Sequence, residues 1–247
     1  KKAKICYEKA IEADPNQANV HSNLGVIFDE LGEYKNAKGC FEKSIEIDPN
    51  NADVHFNLGV TLQSLVESEK AKTYYERAIE INPIYIDAYN NLGALLQSLG
   101  EYQKATNCFN KIIEINPNYS VAYNNLGSLH QELGEYQKAK SCFAKAIKIN
   151  PDFIGALKNI SQLYCSELNF EKAINSSNKA LKIYCDKFTF TDLNISLNHL
   201  KHDIQQAKYL SSKNYEVDGL EQFQKVGDEI LSRKENKEDK NNYDKKI

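Results

Sequence analysis

The chain has 247 residues, 41% of them hydrophobic, which suffices for one or two packed domains and excludes a wholly disordered protein. Its 31 basic and 34 acidic residues leave a net charge of −3, which argues against non-specific binding to nucleic acid or to an anionic membrane surface. No apolar run reaches the roughly 18 residues that a bilayer-spanning helix needs, and the opening KKAKICYEKA has charge but no apolar signal core behind it.

The predicted elements repeat with one step. Pro15, Pro49, Pro83, Pro117 and Pro151 are the five prolines, each 34 residues from the next. The same step links Ala3, Ala37, Ala71, Ala105, Ala139 and Ala173, and also Tyr7, Phe41, Tyr75, Phe109 and Phe143. A further column, Leu24, Leu58, Leu92, Leu126 and Ile160, is followed by Gly25, Gly59, Gly93, Gly127 and Ser161. Registered columns of this kind define a repeat array.

In chain order, 1–17 reads as a lone second helix of a unit. With no Met at the start or elsewhere, the chain is expected to be a fragment whose true start lies upstream. Units follow at 18–51, 52–85, 86–119, 120–153 and 154–187. Each is predicted to be two helices, for example Ala88–Leu99 and Tyr102–Ile115. Gly100 ends the first as a left-handed cap, and Gly32 and Gly134 serve the same purpose. Val66 and Leu168 occupy that place in two units, so those turns are expected to close differently. The second helix stops at Asn-Pro or Asp-Pro, because the residue before proline is pushed out of the α region. Gly93 and Ala105 are small where two helices should approach closely. The last unit is degraded, with Ser161 for glycine, Ser177 for the aromatic and Cys185 for proline. Beyond Phe188 the register disappears. Two helices, Leu193–Leu210 and Leu220–Leu231, are predicted, the first as a cap on the apolar face of the final repeat, and 232–247 is a charged tail or linker.

Six cysteines are present, and Cys6, Cys40, Cys108 and Cys142 share one repeat position. Packed helices hold them too far apart for disulfides, so they are expected to be reduced, buried small hydrophobes in a cytoplasmic protein. No zinc spacing occurs. His199, His202 and Asp203 cluster on one predicted helix, but no further ligand of known spacing follows, and they are read as solvated surface. No metal or other cofactor is called for.

Tyr89, Leu92, Gly93, Leu96, Ala105, Phe109 and Pro117 together resemble the tetratricopeptide repeat, and the likeness covers Lys1 to about Asp186. The resemblance implies an all-α, right-handed superhelical solenoid of antiparallel helix pairs. In such a fold the first helices line a concave groove, and the usual role is a non-catalytic protein-binding scaffold.

Asparagine is a poor helix former, yet Asn23, Asn57, Asn91, Asn125 and Asn159 all occupy the place before the Leu-Gly or Ile-Ser pair. A helical wheel puts Tyr89, Leu92 and Leu96 on the buried side and Asn91 on the far side, with Asp87, Ala94 and Ser98 beside it. Five copies cost about 3 kcal/mol of helix preference. An amide has both donor and acceptor and so suits the main chain of an extended peptide of any sequence. The column resembles the asparagine ladder of the protein O-GlcNAc transferases. The alternative is that each amide bonds a neighbouring helix and sets the stacking angle. Ser98, Ser128, Asp53, Asp87 and Glu132 complete the candidate site, whose acidic edge favours neutral or basic peptides.

With no nucleophile–base pair or phosphate loop in the chain, the expected function is a scaffold that binds an extended peptide. A second reading makes it the recognition arm of a larger enzyme, a glycosyltransferase or a 2-oxoglutarate oxygenase, the latter on a faint resemblance around NHLKHDIQQAKYL. A third is self-association through repeat ends.

Overall fold

The computed structural model describes residues 2–167 and 169–187. The expected helices Leu193–Leu210 and Leu220–Leu231, the tail, Leu168 and the His199–His202–Asp203 cluster lie outside the described residues. The described chain is helical throughout. Its elements are α1 (Lys2–Ala13), α2 (Ala18–Glu30), α3 (Tyr34–Ile47), α4 (Ala52–Ser64), α5 (Ser68–Ile81), α6 (Ile86–Ser98), α7 (Tyr102–Ile115), α8 (Ser120–Glu132), α9 (Tyr136–Ile149), α10 (Ile154–Ser166) and α11 (Phe170–Lys187). Packing divides the chain into two compact units, Lys1–Leu129 and His130–Ile247. In the first, α2 packs on α3, α4 on α5 and α6 on α7, while α1–α2, α3–α4 and α5–α6 join successive pairs; in the second, α9 packs on α10 and α10 on α11.

The second helices end where proline predicts. Asp48, Asn82, Asn116 and Asn150 close α3, α5, α7 and α9 in extended backbone, with φ between −126° and −137°. Each side chain then accepts the N–H two residues on, at 3.1 Å for Asp48, Asn116 and Asn150 and 3.3 Å for Asn82. An Asx side chain thus satisfies a turn that the proline forces. The last repeat has no such proline, and α11 runs for 18 residues where its equivalents run for 14.

Gly32, Gly100 and Gly134 have φ of +73°, +76° and +73°, as a left-handed cap requires. Val66 does not close its turn differently, as expected from the sequence. It takes φ +63° and makes the same turn, with Glu67 N–H bonded to Leu62 O at 2.9 Å, as Glu101 N–H bonds Leu96 O at 2.8 Å. The packed helices on either side dictate the turn, and a β-branched residue bears the strain.

The core is built from the repeat columns. Ala37, Ala71, Ala105 and Ala139 are fully buried, as are Tyr75, Phe109 and Phe143. A Cβ on Gly25, Gly59 or Gly93 would lie 2.7 Å from the ring of Phe41, Tyr75 or Phe109, so only glycine admits the aromatic there. The substitutions in the final repeat are coupled. Ser161 Oγ donates to Ala173 O at 2.9 Å and lies 2.7 Å from Ser177 Oγ, so two small hydrogen-bonded side chains replace the glycine and the ring.

The cysteine column is corrected in part. All five described cysteines are free, but only Cys108 is buried; Cys40, Cys142 and Cys165 are half-buried and Cys6 is exposed. Burial pushes the Cys108 thiol up to about 11, which keeps it protonated and unreactive. Along the surface, a lysine of one second helix reaches the glutamate in the turn of the next pair: Lys38–Glu67 at 3.1 Å, Lys72–Glu101 at 2.5 Å and Lys140–Glu167 at 2.6 Å.

Candidate functional site

The first helices of the repeats carry the predicted site residues. In α6, Ala88, Leu92, Gly93, Leu95 and Leu96 are buried and Asp87, Ala94 and Ser98 exposed. Asn91 lies between these two sets and is half-buried, as are Asn57, Asn125 and Asn159; Asn23 is exposed. Asn91 is not on an open stripe because Leu95, one turn later, is buried as well. A first helix packs on two sides, against its own second helix and against the neighbouring repeat, and the amide sits at the edge of the second of these contacts.

A line of hydrogen bonds joins two of the asparagines. Asn124 Nδ2 donates to Asn125 Oδ1 at 3.3 Å, and Asn125 Nδ2 donates across to Asn90 Oδ1 at 2.9 Å. Asn90 Nδ2 donates to Asn91 Oδ1 at 3.5 Å. Asn91 in turn bonds the hydroxyl of Tyr75, which donates to Gln63 Oε1 at 2.6 Å. Six side chains on α4, α5, α6 and α8 thus form one relay. It does not run on to Asn57 or Asn23, whose preceding residues are Phe56 and Ser22 rather than asparagine. Thr61, in the column of Leu95, instead donates its hydroxyl to Asp29 Oδ1 at 2.7 Å, with Asn57 O as a second acceptor 3.0 Å away, and so joins α4 to α2. Burial pushes the Tyr75 phenol up to about 12, opposed by the bond from Asn91.

Asp53 and Asp87 are exposed and partly engaged. The hydroxyl of Tyr85 bonds Asp53, and burial, that bond and the negative charges of Asp53 and Asp87 all drive the Tyr85 phenol upward. Asp87 also raises Tyr119, in the equivalent place one repeat on, after burial as the main cause. Phe56 packs on Tyr85 with ring centroids 5.2 Å apart. Ser98 Oγ is turned back to Leu95 O at 2.7 Å. Ser128 is half-buried and Glu132 exposed. Glu132 and Asn159 belong to the second unit. Among the described residues, no group of three or more His, Cys, Asp or Glu side chains is placed to hold a metal ion, and no helix is long and apolar enough to cross a membrane.

Asn90, Asn124, Tyr75 and Gln63 were absent from the predicted site. The doublets Asn90–Asn91 and Asn124–Asn125 were the available signal, but a wheel built on one helix does not show what lies across from it.

Models of the tetratricopeptide repeat match residues 1–17, 18–51, 40–73 and 84–152, more than half of the chain between them. The chain belongs to the tetratricopeptide-repeat family. Solved tetratricopeptide structures resemble it along nearly their whole length. MamA is 27% identical, with a TM-score of 0.60 over 66% of this chain and 96% of MamA. YrrB, described as a tetratricopeptide protein with an unusual peptide-binding site, is 24% identical, with a TM-score of 0.58 over 79% of this chain and 97% of its own. Pseudomonas aeruginosa PilF is 20% identical, with a TM-score of 0.65 over 87% and 97%. No curated protein matches the chain. Tetratricopeptide arrays present extended surfaces to protein partners, and the role at that level is a protein-interaction scaffold.

Proposed function

We propose that this tetratricopeptide array binds an extended peptide segment along its first helices, with Asn57, Asn91 and Asn125 pairing to the peptide main chain. The observation that carries the reading is the state of the two amides in the relay. Each uses one N–H and one oxygen lone pair within the protein. A side-chain amide has two of each, so Asn91 and Asn125 keep one donor and one acceptor for a ligand while remaining half-exposed. Asp53 and Asp87 add negative charge beside them and favour neutral or basic peptides. The likeness of this column to the O-GlcNAc transferase ladder belongs to the same proposal. So does a cytoplasmic location, which five free thiols fit.

The relay also favours a second reading, in which the amides serve only to set the spacing of the repeats. One experiment separates them. Twelve-residue peptides are selected from a random library on the immobilised chain and their affinities measured by fluorescence anisotropy. The triple change Asn57→Ala, Asn91→Ala and Asn125→Ala is expected to weaken binding at least tenfold, with little change in melting temperature. A collapse of the melting temperature, with unaltered binding by the fraction that remains folded, assigns the amides to the architecture alone.

A further inference from the structure

We infer that Asn90 and Asn124 are positioning residues that hold the amides of Asn91 and Asn125 in one common orientation. The bonds all run in one sense: Asn124 to Asn125, Asn125 to Asn90, Asn90 to Asn91, then through Tyr75 to Gln63. In each of Asn91 and Asn125, Oδ1 faces the asparagine before it on its own helix, and Nδ2 faces an earlier element, α5 or α6. Turning over Asn90 or Asn125 would set oxygen against oxygen on one side and N–H against N–H on the other, and turning over Asn91 would set its N–H against that of Asn90. The orientation is therefore a property of the whole line and not of each residue.

The consequence for binding is directional. A peptide main chain presents N–H and C=O groups in an order that reverses with its direction. Amides locked alike, one repeat apart, offer the same donor–acceptor order at each step, and this selects one chain direction for an extended ligand. Phe56 stands in the same column as Asn90 and Asn124 and cannot donate, so Asn57 is not held this way. The functional part of this inference rests on the peptide-binding reading; the positioning part does not.

Asn90→Asp tests it on the full chain. The new carboxylate is nearly isosteric and still accepts from Asn125, but it cannot donate to Asn91 Oδ1. It accepts from Asn91 Nδ2 instead, which turns that amide over and takes it from Tyr75. In side-chain amide NMR spectra the Asn91 pair should move, and by more than the Asn125 pair, which keeps its bond and meets only a change in the charge of its acceptor. Library-selected peptides should bind about three- to tenfold more weakly, the loss of one hydrogen bond, with the melting temperature unchanged. Asn124→Asp repeats the test one helix on, with Asn125 as the residue that moves, and serves where the first variant does not fold. An unmoved Asn91 pair overturns the inference, as does full affinity in Asn90→Asp when Asn91→Ala weakens binding. Where no peptide binds the unaltered chain, the peptide-binding reading fails, and the NMR shift alone decides the positioning role.

Discussion

Val66→Gly should stabilise the protein. Val66 is the one non-glycine among the described residues with positive φ, at +63°, and its side chain is 83% exposed. A left-handed backbone costs an L-residue about 1–2 kcal/mol, and glycine removes that cost. Against it, the unfolded chain gains freedom worth about 0.4–1 kcal/mol. So exposed a side chain forfeits only about 0.3–0.5 kcal/mol of burial when deleted. The balance is about 0.5 kcal/mol in favour of glycine, a rise of about 1–2 °C in melting temperature. Gly100→Val is the reciprocal change, at φ +76° with nothing within 4 Å of an added Cβ, and should destabilise by a similar amount. Urea unfolding followed by far-ultraviolet circular dichroism measures both as shifts in the midpoint. A lower midpoint for Val66→Gly, or an unchanged one for Gly100→Val, refutes the claim that the turn is strained by its residue.

Gly93→Ala should destabilise by about 1–3 kcal/mol through overpacking, because its Cβ would lie 2.7 Å from Phe109 Cε1; a melting temperature equal to that of the unaltered chain contradicts the close approach. The carboxyls of Glu67, Glu101 and Glu135 are held below their ordinary 4.5, chiefly by hydrogen bonds from Lys70, Lys104 and Lys138. Since the folded state favours the ionised form, their contribution is present above about pH 4.5 and is lost as the pH falls through the lowered values. Melting temperature between pH 6 and 3 should therefore fall less steeply in Glu101→Gln than in the unaltered chain, and equal slopes count against the ion-pair ladder. Among the described thiols, Cys6 should react first with a disulfide reagent and Cys108 last, and only on unfolding; mass spectrometry of the labelled peptides orders them.

The local architecture was legible in the amino-acid sequence because its causes are short-ranged. A proline 34 residues after the last one ends a helix wherever it stands, and small residues such as Gly93 and Ala105 mark where two helices approach closely. Those constraints act within a turn or two of chain, or recur at each repeat, so α7 runs over Tyr102–Ile115 as the spacing predicts. Three features were decided by tertiary structure. Val66 takes a conformation its own chemistry disfavours, because two packed helices must be joined by that turn. Ser161 and Ser177 looked like decay of the repeat when taken singly and are a hydrogen-bonded pair only once α10 meets α11. The asparagine column was visible, but not its partners. Whether an amide on the edge of a helix meets solvent or another amide depends on the neighbouring repeat, and hydrogen bonds between residues 35 apart, such as Asn125 to Asn90, exist only after the helices have stacked.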